Sequence, residues 1–250
     1  MIIETSRLRL AVERRGSGEP VVLLHSLAMA GAMWEHVAER LAKRFEVWTY
    51  DARGHGQSPW DNEPFTIEDL AEDLRDLLDA LGLDRAHIVG LSMGGTTAIV
   101  FAATYPERVN RLVLVDCSAC YGPTRVSDWE ARASKVLSSP REALLDFQLD
   151  RWFTPHFRAT NPEEVRRQVE IFLACSSHVH AAASRALAAV DAEVLEQVPA
   201  RLMAEAEVPS RAVPESAMEG RVLVVPVAEA EARLLVVLVA AGIVRATVAI

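Results

Sequence analysis

The amino-acid sequence predicts an α/β fold: a mostly parallel sheet with helices on both faces and a helical insert. Three observations lead there. Short continuous apolar runs alternate with helix-period segments through the first 116 residues, the pattern of strands joined by crossover helices. Between Ser127 and Val190 the strand signal vanishes and helical patterns remain. The chain has 250 residues, 50% hydrophobic and 24% charged, enough for one large domain or a core with a small insert.

The elements follow in order. Val21-Val-Leu-Leu-His25 comes after the turn signal Gly16-Ser-Gly-Glu-Pro20 and reads as a fully buried strand. Trp34 to Leu41 has helical spacing. Phe45 to Tyr50 is strand-like, and Asp51 to Pro59 is rich in glycine and turn residues. Thr66 opens a helix, with Asp69 completing a looser form of the capping box. Ile67, Leu70, Ala71, Leu74, Leu77, Leu78 and Leu81 make one face of it apolar, and Gly82 stops it. Ala86 to Gly90 is a second buried strand, Thr96 to Tyr105 a helix, and Arg111 to Asp116 a further strand. Pro140 to Trp152 and Pro162 to Ser177 read as helices with proline near the first turn. A third runs from about Val179 to Val190. An insert after a strand lies over the carboxyl end of the sheet, where such folds bind ligands. The expected division is 1–122 for the first part of the core, 123–190 for the helical insert and 191–250 for the rest of the core.

The chemistry concentrates in Gly90-Leu91-Ser92-Met93-Gly94, followed by Gly95. A serine between a buried strand and a helix stands on a sharp turn that lifts its hydroxyl clear of the sheet. The small flanking residues let backbone pack close, and the helix N-terminus favours negative charge forming nearby. Ser92 is therefore the candidate nucleophile. Two other segments carry turn chemistry: His25-Ser26-Leu27-Ala28 and Asp51-Ala-Arg53-Gly54-His55-Gly56-Gln-Ser58. His25 and His55 read as loop-stabilising residues more readily than as proton carriers.

These motifs resemble those of the α/β-hydrolase family. Within it the sequence is similar to 3-oxoadipate enol-lactonases and related small carboxyl-ester hydrolases. That likeness rests on Ser26-Leu27, Met33-Trp34, Tyr50 to Gly56, Gly90 to Gly95 and Arg151-Trp152-Phe153-Thr154, and reaches about residue 191. The resemblance implies a cofactor-independent hydrolase of a small-molecule ester or lactone. Ser92 would form an acyl-enzyme, the Leu27 and Met93 N–H groups would hold the oxyanion, and Ser26 and Trp152 would contact substrate. Trp152 reads equally well as a core tryptophan of the insert. An enol-lactone carries a carboxylate, and Arg151 or Arg158 is then the expected local cation.

Composition narrows the classes. A net charge of -9 argues against general nucleic-acid binding. The longest apolar run, Leu234 to Val244, is too short for a membrane span, which needs about 20 residues, and Met1 to Leu10 has no apolar signal-peptide core; the expected location is cytoplasmic. Cys117-x-x-Cys120 and Cys175 read as small buried hydrophobes, with no metal site expected. The sequence leaves the oligomeric state open.

The tail departs from the family pattern. A serine nucleophile needs a base and an orienting acid, which follow the serine in the order acid, then histidine. No histidine follows His180, and residues 192–250 contain no Phe, Trp, Tyr, His, Asp, Asn, Lys or Cys. Strand-like pieces at 221–225 and 233–238 lead into Glu229-Ala-Glu231 and Ala240-Ala-Gly242, where the acid and histidine are expected. Three readings stand open: an altered reading frame or scrambled end, a divergent tail on a scaffold that binds without turnover, or a base from the insert, His178 or His180. Asp116 is a candidate substitute acid.

Overall fold

The computed structural model describes residues 1–191, 193–199 and 202. The expected late strands and the Glu229 to Glu231 and Ala240 to Gly242 positions lie outside the described residues.

Six strands form one sheet in the order β1-β2-β4-β3-β5-β6. They are β1 (Ile2–Glu4), β2 (Arg9–Gly16), β3 (Glu19–Leu24), β4 (Phe45–Tyr50), β5 (Ala86–Leu91) and β6 (Val109–Val115). The pairs β3–β4, β3–β5 and β5–β6 are parallel, while β1–β2 and β2–β4 are antiparallel. The parallel strands match the sequence expectation. The antiparallel pair at one edge is an addition to it: the only apolar run in β2 is the three residues Leu10-Ala11-Val12, flanked by charges.

Strand alternation divides the core in two. Val21 and Leu23 face Trp34, Ala38 and Leu41, the last two on α1 (Glu35–Leu41). Val22 and Leu24 face the larger cluster, which takes in α2 (Ile67–Ala80) and α3 (Met93–Thr104). Helices thus cover both faces. The capping box at Thr66 is complete: its hydroxyl accepts from the Asp69 N–H while Asp69 accepts from the Thr66 N–H. Thr96 to Tyr105 proves to be the later part of a helix that begins at Met93, directly after Ser92.

After β6 the described chain is helical: α4 (Arg125–Ser138), α5 (Leu145–Trp152), α6 (Pro155–Thr160), α7 (Pro162–Ala174), α8 (Ser177–Ala189) and the short α9 (Glu193–Glu196). Sequence periodicity had given three helices here and missed α4 and α6. Helices α4 and α8 pack on each other extensively. The insert is bolted to the loops at the carboxyl ends of the strands. Arg167 donates to Ala32 O at 2.6 Å and Gln168 to Met33 O at 3.2 Å, and Val179 packs against Gly54. Among the described residues no helix is long and apolar enough to cross a membrane.

Candidate active site

Ser92 stands between β5 and α3 with φ +52° and ψ −114°. This region is sparsely populated for any residue with a Cβ and costs of order 1–3 kcal/mol. The surrounding backbone holds it there. Its N–H donates to Val115 O at 2.9 Å, tying the ends of β5 and β6 together, and its carbonyl accepts from Thr96 N at 2.9 Å. The glycines are required by space. A Cβ on Gly90 would collide with the Gly94 carbonyl, and one on Gly94 with the carbonyls of Leu24 and His25. The turn therefore sits directly against the end of β3.

The loop leaving β3 supplies the other side. Leu27 and Ala28 form a tight turn, with Ala28 at φ +60° and Met29 N–H donating to Ser26 O at 3.2 Å. Among the described residues, neither the Leu27 nor the Met93 N–H donates a hydrogen bond. Ser26 is half-buried, and its N–H and hydroxyl both point at the Met33 sulfur.

Beneath this loop the turn 51–58 is held by many hydrogen bonds, with the His55 Nε2 left without a partner among the described residues. His25 Nδ1–H donates to Ser26 O at 2.8 Å, and its Nε2 accepts from Ala52 N–H at 2.9 Å. Both ring nitrogens are occupied, and burial holds its pKa below the usual histidine range. Asp51 accepts from Gly31 N at 2.7 Å and Gln57 N at 2.9 Å, while Ser58 bridges Asp51 O and Ala11 N. A Cβ on Gly56, at φ +51°, would strike the Asp51 carboxylate. Arg53 makes a two-pronged bond to Asp73, 2.6 Å on each prong. His55 Nδ1–H donates to Arg53 O at 3.0 Å. His25 and His55 thus brace loops, as their positions in the sequence suggested.

Neither insert histidine contacts the Ser92 hydroxyl. His178 is exposed at the start of α8. His180 is 1% exposed, and its Nδ1 accepts from Arg141 at 3.4 Å. Burial, with Arg132 and Arg141 adding to it, pushes His180 down to about 3. Burial first, then His25, His180 and Arg141, does the same to His55. Both are neutral rings, and the Nε2 atom of each is buried without a hydrogen-bond partner among the described residues.

Asp116 follows β6 at φ +42°. Leu91 pairs with Val115, so Asp116 and Ser92 leave adjacent strands side by side. Desolvation raises the Asp116 carboxyl, and the positive charge of Arg151 opposes it. Trp152 packs edge-on against Phe172 at 5.3 Å, so its ring belongs to the aromatic cluster of the insert. Arg158 is paired with Asp150 at 2.9 Å, and Arg151 lies over the Phe147 ring. Cys117 and Cys175 are buried free thiols, pushed up to about 12 and about 11 mainly by desolvation.

Sequence reading missed α4. Its apolar stripe is thin: Trp129, Ala133 and Val136, at four- and three-residue steps. That stripe was the available signal.

A parallel sheet turning sharply into a helix at a half-buried serine, beside a loop whose Leu27 amide donates no hydrogen bond among the described residues, is a hydrolase-type scaffold. Residues 19–186 match the family described as alpha/beta hydrolase fold, and the chain belongs to that family. It is 32% identical over 171 residues to 3-oxoadipate enol-lactonase 2 of Acinetobacter baylyi, covering 68% of this chain and 63% of that protein. The chain therefore spans somewhat under two thirds of that relative's length. The crystal structure of the enol-lactonase from Burkholderia xenovorans LB400 superposes with a TM-score of 0.71 at 32% identity, over 76% of this chain and 74% of that one. A thermophilic esterase from Thermogutta terrifontis, with malate bound, gives 0.71 at 29% identity, over 76% and 72%.

Proposed function

We propose that the chain is a serine hydrolase of small carboxylic esters or lactones, similar to the enol-lactonases, acting without a cofactor and in the cytoplasm. The observation that carries this reading is Ser92 held at φ +52° between two amides with no partner among the described residues. The Ser92 oxygen attacks the carbonyl carbon and the carbonyl π pair moves onto oxygen. The Leu27 and Met93 N–H groups hold that oxyanion, each worth roughly 3 kcal/mol in such sites. Collapse expels the alcohol oxygen, which takes up the proton given up by the Ser92 hydroxyl, and leaves an acyl-enzyme that water hydrolyses. For a lactone both products are one molecule. Ser26 and Trp152 line the pocket in this reading. The malate bound to the Thermogutta esterase, a dicarboxylate, and the enol-lactonase relatives favour an acidic substrate.

One observation favours a second reading, a scaffold that binds ligand without turnover. No histidine follows His180, and His178 and His180 are placed away from the serine hydroxyl. Intact-mass labelling with a fluorophosphonate separates the two readings. One adduct on the parent chain that is lost in Ser92→Ala supports the hydrolase. A folded, monodisperse protein that takes no adduct overturns it in favour of the binding scaffold.

A further inference from the structure

We propose that Arg167 and Gln168 of α7 are positioning residues for the oxyanion hole: by clamping the carbonyls of Ala32 and Met33 they hold the loop that presents the Leu27 N–H. The inference rests on the site reading above and makes the helical insert part of that site's machinery.

The links from insert to loop are hydrogen bonds. Glu164, Arg167 and Gln168 are three and four residues apart on α7 and so share one face. The Glu164 carboxylate accepts from Arg167 at 2.9 and 2.7 Å and from Gln168 at 2.7 Å, which orients both donors. Arg167 then reaches Ala32 O at 2.6 Å, and Gln168 reaches Met33 O at 3.2 Å. Gln168 is buried, and Glu164 and Met33 together take its amide N–H groups.

Ala32 and Met33 belong to a single 3₁₀ turn, Gly31–Trp34. The start of that turn is tied to the core, with the Gly31 N–H donating to Asp51 at 2.7 Å. Its later residues are tied to the insert. From there the Met33 side chain reaches back to the end of β3, where its sulfur accepts from the Ser26 N–H at 3.4 Å and faces the Ser26 hydroxyl at 3.7 Å. The next amide along the chain is that of Leu27. The Ser92 turn meets the same stretch, since a Cβ on Gly94 would strike the Leu24 and His25 carbonyls.

A thioether is a weak acceptor on a side chain with three rotatable bonds. It holds Ser26 in one place only if the Met33 backbone is itself fixed, and the insert supplies part of that fixing. The Leu27 N–H donates no hydrogen bond among the described residues, so its direction is set by its neighbours in the loop. A donor stabilises an oxyanion when it is aimed in advance, and a misplacement of about 1 Å costs on the order of a hundredfold in rate.

Fluorophosphonate labelling of the full chain tests this, because the phosphoryl oxygen of the probe takes the place of the ester carbonyl oxygen. Its saturation kinetics separate the bonding rate from probe affinity. Gln168→Met keeps the length and removes the donors. It should lower the maximal labelling rate about ten- to a hundredfold and leave the half-saturating concentration within about twofold. Arg167→Met should act likewise, and Arg167→Lys, which still offers an N–H to Ala32 O, should recover most of the rate. That pair carries the comparison should Gln168→Met fail to fold. Arg185→Met breaks a pair with Glu130 elsewhere on the insert and should leave labelling unchanged. An unchanged rate in Gln168→Met and Arg167→Met, an equal loss in Arg185→Met, or a loss confined to probe affinity overturns the proposal.

Amide hydrogen exchange adds a readout that needs no reactive serine. The Met29, Gly31 and Met33 amides are hydrogen-bonded and should exchange roughly tenfold faster in the Met variants, while those of β4 stay protected. Unchanged exchange in the loop sinks the positioning role. A parent that takes no label but whose variants loosen the loop loses the hydrolase reading and keeps the clamp. A labelled parent whose variants change neither rate nor exchange does the reverse.

Discussion

Two arginines near the carboxyl ends of the strands meet opposite conditions. Arg53, in the turn after β4, is held by both oxygens of Asp73 and lies over the Phe65 ring. Arg132, on α4 of the insert, has a ring beneath it and no acid beside it among the described residues. The difference extends to their neighbourhoods. Around Arg53, the side chains of His25, Asp51 and Ser58 have their hydrogen bonds made within the protein. On the insert side, among the described residues, Arg132 has no ion-pair partner and the His180 Nε2 no hydrogen-bond partner. A polar network satisfied by the protein's own groups is scaffold, because it gains nothing from a ligand. One left unsatisfied at a pocket is where a ligand's polar groups contribute binding.

Removing the satisfied arginine should do the greater harm. Burial pushes the Asp73 carboxyl up despite Arg53, so the pair is held at a desolvation cost. Asp73 is 1% exposed, and Arg53→Met would leave it buried with Arg7 at 3.9 Å as its nearest remaining cation. The expected loss is about 3–5 kcal/mol, read as a lowered urea midpoint at unchanged slope. A loss below about 1 kcal/mol, the scale of a surface ion pair, would show that the turn is not scaffold in the sense argued.

Acid probes the seam between the two regions, where His55 of the turn and His180 of α8 lie. Both are pushed down to about 3, by burial foremost, against about 6.5 in an unfolded chain. Between those values the unfolded chain binds protons that the folded one refuses. Stability is therefore full above about pH 6.5 and falls as pH drops towards 3. The slope is up to about 1.4 kcal/mol per pH unit for each ring. Urea midpoints at pH 7 and pH 5 measure it. His55→Gln and His180→Gln should each flatten the dependence, and an unchanged slope in both would clear these histidines of the acid sensitivity.

The satisfied region was the legible one. Gly90-x-Ser92-x-Gly94 and the 51–58 turn announce themselves because close backbone contacts admit only glycine, and such demands are local in sequence. The Thr66–Asp69 capping box is likewise local. The insert was harder. Its α4 buries only Ala133 and Val136 fully, so its periodicity is faint among charges, and Arg132 looked like any solvated arginine. Whether an arginine has an acid near it depends on elements far apart in the chain, here α4, α5 and the end of β6. The strands β1 and β2 escaped because their apolar stretches are short and flanked by charges, as in Arg9-Leu-Ala-Val-Glu13. Of the two arginines expected to supply a local cation, Arg158 is paired with Asp150 within the insert, a pairing between residues eight apart that the sequence does not announce.

The smallest effect sharpens the comparison most, because its sign is opposite. If Arg132 is unmatched in the free protein, replacing it with an apolar residue of similar length removes a desolvated charge and the repulsion from Arg151. Arg132→Met should therefore raise stability, by about 0.5–1 kcal/mol. Lost packing on Trp129 works against this gain, and the methionine thioether over the same ring retains part of that contact. A scaffold arginine behaves in the reverse way, since its loss destabilises. A melting temperature that rises in Arg132→Met and falls in Arg53→Met would place the two residues in different classes by their energetics alone, with no ligand present. A fall in both would mean that Arg132 has structural work in the folded chain, and its place in the insert would need no ligand to explain it.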